Sequence, residues 1–202
     1  MTNHMKTLSI ITIALASLTN ACAEPVAFKS GIYENLLLAV NSDGVVTGYY
    51  REAQGEGIAK TCAFTFKGEA DADKANIFVG ADESFPGEIQ AETDGINLKI
   101  AKARELPGCG LVLMPEIADG LSYDLITKVS WSELRTIISE KSYFYSEPKV
   151  DKKLKSYLVK GDVVGVVAKE GDWLQIDYYS DSGKMSRRWI NNKEAASLLS
   201  NQ

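Results

Sequence analysis

Leu36-Leu37-Leu38-Ala39-Val40 is followed by Asn41-Ser42-Asp43-Gly44 and then by Val45-Val46-Thr47-Gly48-Tyr49-Tyr50. An apolar run, an Asp-Gly turn and a second β-prone run predict a β-hairpin. The same grammar continues downstream. Thr61–Phe66 alternates around Cys62, Phe64 and Phe66. Ile77-Phe78-Val79 reads as a short strand. Glu88–Glu92, the turn Thr93-Asp94-Gly95 and Ile96–Ile100 predict a second Asp-Gly hairpin. Gly110–Met114 and Leu121–Thr127 read as two further strands. Short strands with a turn every 8–12 residues predict an antiparallel sandwich or barrel over residues 24–130.

Trp131-Ser132-Glu133-Leu134-Arg135 interrupts this pattern. Ser130 could cap one helical turn there, so the segment reads as a joint between two domains. Strand-like sequence resumes at Thr136. It runs through Tyr143-Phe144-Tyr145 to Pro148 and into a polar, lysine-rich loop. Then come Tyr157–Val167, the turn Glu170-Gly171-Asp172, and Trp173–Tyr179. The hairpin Ser180-Asp181-Ser182-Gly183 leads to Met185–Ile190, and Lys193–Leu199 is predicted to form one short helix.

The landmarks of this second half are Pro148, Leu158-Val159-Lys160-Gly161-Asp162, Gly171-Asp172-Trp173 and Trp189-Ile190. Their order resembles the bacterial SH3-like domain over roughly residues 137–195, about a third of the chain. One departure is Arg188, where that family usually has Gly before the last Trp. The resemblance implies a small five-stranded barrel that binds peptides or glycan-linked peptides, often in bacterial cell walls. It does not imply catalysis. The expected fold is therefore all-β, with the SH3-like barrel over residues 136–196 following the first domain.

The N-terminus reads as a sorting signal. Lys6 is the only charge before Glu24, and Leu8–Leu18 is an apolar stretch too short to span a bilayer. It ends in Ala21-Cys22-Ala23, the small-x-small pattern of a signal peptidase site, which predicts cleavage after Ala23. A rival reading is a lipid anchor on Cys22. The Leu such a signal needs three residues earlier is Thr19 here, with Leu18 one place out of register.

Removing residues 1–23 leaves 179 residues with 21 Lys and Arg against 27 Asp and Glu. That acidic balance argues against nucleic acid, whose binding needs a basic face to displace counterions, and against adhesion to anionic lipid. No second apolar run predicts an integral membrane span. The mature chain keeps Cys62 and Cys109, an even pair that predicts a disulfide in an oxidising compartment. The only histidine is His4, inside the signal. No Ser–His or Cys–His pair and no His metal ligand can exist in the mature protein. No cofactor and no metal is expected.

Other motifs fail on inspection. Asp71-Ala72-Asp73-Lys74-Ala75-Asn76 faintly resembles a calcium loop but has Ala75 and Asn76 where a ligand and a Gly are needed. Ser146-Glu147-Pro148-Lys149 satisfies Ser-x-x-Lys, yet Pro148 opposes the helix that chemistry requires. Ser182-Gly183-Lys184 resembles the end of a phosphate loop but lacks its earlier Gly. Glu83, Glu88, Glu92 and Asp94 show no spacing that singles out a catalytic pair.

The candidate site lies in the second domain. Side chains alternate along a strand, so Leu174, Ile176 and Tyr178 share one face and Trp173, Gln175, Asp177 and Tyr179 the other. If the first face is core, Trp173 can line a shallow groove with Tyr145 or Phe144 and with Trp189. Arg187 and Arg188 beside it could grip a carboxylate in bidentate fashion. The expected partner-binding set is Tyr145, Trp173, Tyr179, Arg187, Arg188 and Trp189; these aromatics could instead pack on the first domain. The expected function is an exported, non-enzymatic binding protein of the cell envelope, in the periplasm or secreted. Its partner would be a protein or a cell-wall peptide, and inhibitor or immunity-type roles fit. Two rivals are a carboxylate-dependent wall hydrolase targeted by its SH3-like domain, and a structural envelope component.

Overall fold

The structure is a computed structural model and describes residues 27–55, 59–80, 85–180 and 182–198. The expected signal peptide, with Cys22, lies outside the described residues, as do Glu83 and Asp181. The described chain is all-β, in two curled antiparallel sheets.

The first sheet contains β1 (Gly31–Tyr33), β2 (Leu36–Val40), β3 (Val45–Gln54), β4 (Lys60–Asp71), β5 (Lys74–Val79), β6 (Phe85–Ala91), β7 (Gly95–Lys99), β8 (Leu121–Asp124) and β9 (Thr127–Lys128). From β1 to β8 every neighbour in the sheet is a neighbour in sequence. Both Asp-Gly hairpins form where expected: β2 pairs with β3 and β6 with β7. Gly44 takes φ +80° in the first turn, a left-handed conformation that costs glycine nothing. The segment 121–128 then serves both ends of the sheet. Its first half pairs with β7, its second half pairs with β1, and the Ile126 N–H donates to the Ile32 carbonyl at 2.8 Å between them.

Alternation sets the core of this sheet. Cys62, Phe64 and Phe66 of β4 point inward, as do Ala75, Ile77 and Val79 of β5 and Ile96 and Leu98 of β7. The Tyr50 ring stacks on Phe64 at 5.0 Å. Cys62 bonds to Cys109 with a Cα–Cα distance of 4.4 Å, as the even cysteine pair predicted. Residues 110–114, expected as a strand, are not one. Cys109–Leu111 is a 3-10 turn entered through Gly108 at φ +79°. The disulfide holds this turn against β4, and Val112 and Leu113 bury themselves in the core without ladder partners.

The second sheet contains β10 (Glu133–Ile137), β11 (Ser142–Tyr145), β12 (Lys153–Leu158), β13 (Val163–Glu170), β14 (Trp173–Tyr179), β15 (Met185–Asn191) and β16 (Ala195–Ser197), in the order β12-β11-β15-β14-β13-β10-β16. These seven segments exceed the five strands that the resemblance implied. Three local expectations need correction. Glu133–Arg135 is strand, not a helical turn, because β10 pairs with β13 and β16. The lysine-rich loop contains β12, paired to β11. Over 193–198, the described part of the expected helix Lys193–Leu199, there is no α-helix: a 3-10 turn at Asn192–Glu194 leads into β16, which adds to β10.

The two continuous apolar runs explain how the sheets meet. A strand buried on one face alternates, whereas one buried on both faces reads as an unbroken apolar run. Leu36 and Leu38 enter the first core, while Leu37 and Ala39 face the joint. In Val163-Val164-Gly165-Val166-Val167, Val164 and Val166 enter the second core, while Val163 and Val167 face the joint. Trp131 and Leu134 fill the space between. A Cβ on Gly165 would fall 2.3 Å from the Trp131 ring, so that glycine makes room for the indole. Inside the joint, the Leu134 N–H donates to Thr47 Oγ1 at 2.8 Å, tying β10 to β3.

Candidate functional site

The core of the second sheet takes Phe144, Leu158, Leu174, Ile176 and Ile190 from one face of its strands. Their neighbours in sequence point to the other face. On β11 these are Tyr143 and Tyr145, on β12 Lys153, Lys155 and Tyr157, on β14 Trp173, and on β15 Trp189. Cross-strand register then gathers them. Tyr143 lies opposite Tyr157 with ring centroids 5.5 Å apart. Tyr145 lies opposite Trp189 and meets the Trp173 ring edge-on at 4.7 Å. Trp189 lies opposite Gln175. Five aromatic side chains thus pave the outward face, Tyr157 exposed and the other four half-buried.

Cations border this pavement. Lys153 Nζ sits 3.4 Å from the Tyr143 ring centroid, and Lys141 Nζ sits 4.8 Å from that of Tyr157. A shallow depression lies beside the rings, lined by Ser146, Leu154, Gln175, Arg187, Arg188 and Trp189.

Of the expected site residues, Tyr145, Trp173 and Trp189 come together here, while Arg188, opposite Ile176 and on the other parity of β15, only lines the depression beside them. The other two differ from expectation. Tyr179 packs against the apolar residues of the joint, at the far end of β14 from Trp173. Arg187 is already engaged. Its Nε and Nη2 each donate to one oxygen of Asp177 at 2.8 Å, the bidentate grip expected for a partner's carboxylate. Among the described residues Arg188 donates to the Arg187 carbonyl, and it is exposed.

Asp177 explains why. It lies on the outward face by parity, but its side chain is 0 % exposed because Trp131 covers it, donating Nε1–H to Oδ2 at 2.9 Å. Burial alone would raise its pKa. The hydrogen bonds from Arg187 and Trp131, with the Arg187 charge, outweigh burial and hold the carboxyl below its ordinary value of 3.8. Trp131, Asp177 and Arg187 therefore form one chain from the joint to the rim of the aromatic face.

Sequence reasoning missed Tyr143, Tyr157, Lys141 and Lys153. Parity within Ser142-Tyr143-Phe144-Tyr145 already placed both tyrosines on one face; the register to β12 was the missing piece. Among the carboxylates considered for catalysis, Glu88 lies 4.0 Å from Lys74, and Glu92 accepts from Ser122. Among the described residues no group of three His, Cys, Asp or Glu could hold a metal ion. No helix among them is long and apolar enough to cross a membrane.

Comparison with protein-family models, with curated proteins and with solved structures finds no match to the chain.

Proposed function

We propose that the protein is an exported, non-enzymatic binding protein of the bacterial cell envelope, and that it holds a protein or cell-wall peptide on the outward face of its second sheet. The observation that carries this reading is the partly exposed set Tyr143, Tyr145, Tyr157, Trp173 and Trp189, backed by a separate core on the other face. A sheet needs only one apolar face to fold, which leaves the aromatics on the second face available for recognition. Rigid aromatic rings bury large area at low entropy cost, which suits them to recognition. The disulfide and the sorting signal read from the sequence support an envelope location. An inhibitor or immunity-type role is compatible with a small, disulfide-braced binder.

The test compares wild-type mature protein with Trp173→Ala in a pull-down from envelope extract and in peptidoglycan pelleting. Truncating an aromatic anchor should cost about 2 kcal/mol or more of binding, with little change in melting temperature. Equal retention of both proteins would reject the aromatic face as the partner surface. Turnover of labelled peptidoglycan by the mature protein would replace the binding reading with the hydrolase.

A further inference from the structure

β12 is the last strand of its sheet. It pairs with β11 on one side, and its other edge has no strand partner among the described residues. Such an edge presents unpaired N–H and C=O groups that can template another chain. Lys153, Lys155, Ser156 and Tyr157 along it are exposed. Lysines on an edge deter indiscriminate pairing, because a neutral or basic strand would leave their charge unmatched. For an incoming acidic strand the same lysines become a selection rule.

Nearby charges point the same way. Lys149 and Lys152 have local carboxylates in Glu147 and Asp151. Lys141, Lys153, Lys155 and Arg188 make no ion pair among the described residues. Residues 129–202 carry 12 Lys and Arg against 10 Asp and Glu, whereas residues 24–128 carry 9 against 17. An acidic protein thus places its surplus positive charge in the half that holds the aromatic face.

We propose that β12 captures its partner by strand addition: an extended, acidic peptide segment pairs with the free edge and lays carboxylates from alternate positions against Lys153 and Lys155, beside the Tyr143–Tyr157 pair. This rests on the reading of the second sheet as the binding unit. Backbone pairing gives affinity, and the period-two alternation of a strand gives specificity for every second side chain. A polysaccharide has no amide ladder to offer this edge.

The experiment uses the mature full-length chain and fluorescence anisotropy. The probes are a short peptide alternating Glu and Thr, its Lys/Thr counterpart, two versions of the acidic peptide N-methylated at alternate amides in opposite frames, and polygalacturonate. The acidic peptide should bind. One methylation frame should weaken it by about tenfold or more, by removing ladder hydrogen bonds, and the other should not. The pair Lys153→Glu and Lys155→Glu should abolish this binding and transfer preference to the Lys/Thr peptide. Equal binding in both methylation frames would overturn strand addition, as would binding of polygalacturonate without the peptide. If the acidic peptide fails while Trp173→Ala still abolishes envelope capture, this inference falls and the binding reading stands. If Trp173→Ala changes nothing either, the reading beneath it falls as well.

Discussion

The indole of Trp131 donates a 2.9 Å hydrogen bond to the buried carboxylate of Asp177, across the line where the two sheets meet. Arg187 holds the same carboxylate from the solvent side. One charge is therefore shared between a wholly interior partner and one whose side chain is 48 % exposed.

This arrangement predicts an acid limb to stability. The Asp177 carboxyl has its pKa lowered in the folded state, so the stability it contributes is fully present above its unfolded value. It is lost as pH falls from about 4 through the lower folded value. Asp177→Asn should show a shallower loss over that window than wild type. Urea midpoints at pH 7, 5, 4 and 3 would read it, and parallel curves for the two proteins would refute it.

Neighbouring arginines should separate by assay. Arg187→Ala leaves the Asp177 charge with Trp131 as its remaining side-chain donor, which should cost about 1–3 kcal/mol of stability. The half-exposed guanidinium keeps that cost below the figure for a fully buried pair. Arg188→Ala should leave stability within about 0.5 kcal/mol and lower affinity for the partner. Thermal melts and binding measured on the same samples test both; a larger melt change in Arg188→Ala would reverse the assignment.

At the joint, Thr47→Val keeps the shape but removes the acceptor for the Leu134 N–H. An orphaned buried donor costs about 1–3 kcal/mol. Trp131→Ala should cost more, about 3–5 kcal/mol, through cavity formation. If Thr47→Val proves neutral by denaturant titration, the bond across the joint is not part of what holds the sheets together.

Removing the disulfide with Cys62→Ser and Cys109→Ser should lower stability by about 4 kcal/mol, given the 47-residue separation and the loop-closure relation. Wild type with and without reductant, monitored by near-ultraviolet dichroism, provides the same comparison without mutation. An unchanged midpoint would show that the 3-10 turn at Cys109 is held by packing of Val112 and Leu113 alone.

The hairpins were legible because their signals are local: Asp43-Gly44 and Asp94-Gly95 need no distant partner to declare a turn. The even cysteine count likewise predicted the bond that forms. Segments shaped by distant residues were not legible. Glu133–Arg135 becomes strand only because β13 and β16 lie on either side of it. Val112 and Leu113 look like strand residues, but they follow a 3-10 turn bonded through Cys109 to Cys62 of β4. The candidate site divided in the same way. Parity put Trp173 on the correct face, yet parity could not foresee that Trp131 would seal Asp177 and so occupy Arg187. Nor could it show that Tyr157 lies opposite Tyr143, which depends on cross-strand register.

The double service of residues 121–128 joins the two ends of the first sheet through one continuous segment. Pairings from β1 to β7 join strands that lie close in sequence and close short loops, whereas β7 and β8 are separated by residues 100–120. The seam between β1 and β9 requires the two ends of the whole unit to meet, with Gly31 opposite Lys128. Its pairing spans the longest sequence separation in the sheet and so closes the largest loop. The Ile126 and Val129 amides, which donate to Ile32 and Ser30, lie on that seam, and their exchange with solvent reports its opening. Trp131 follows two residues after Val129, so the seam that joins the ends of the first sheet and the indole that anchors Asp177 of the second share one short stretch of chain.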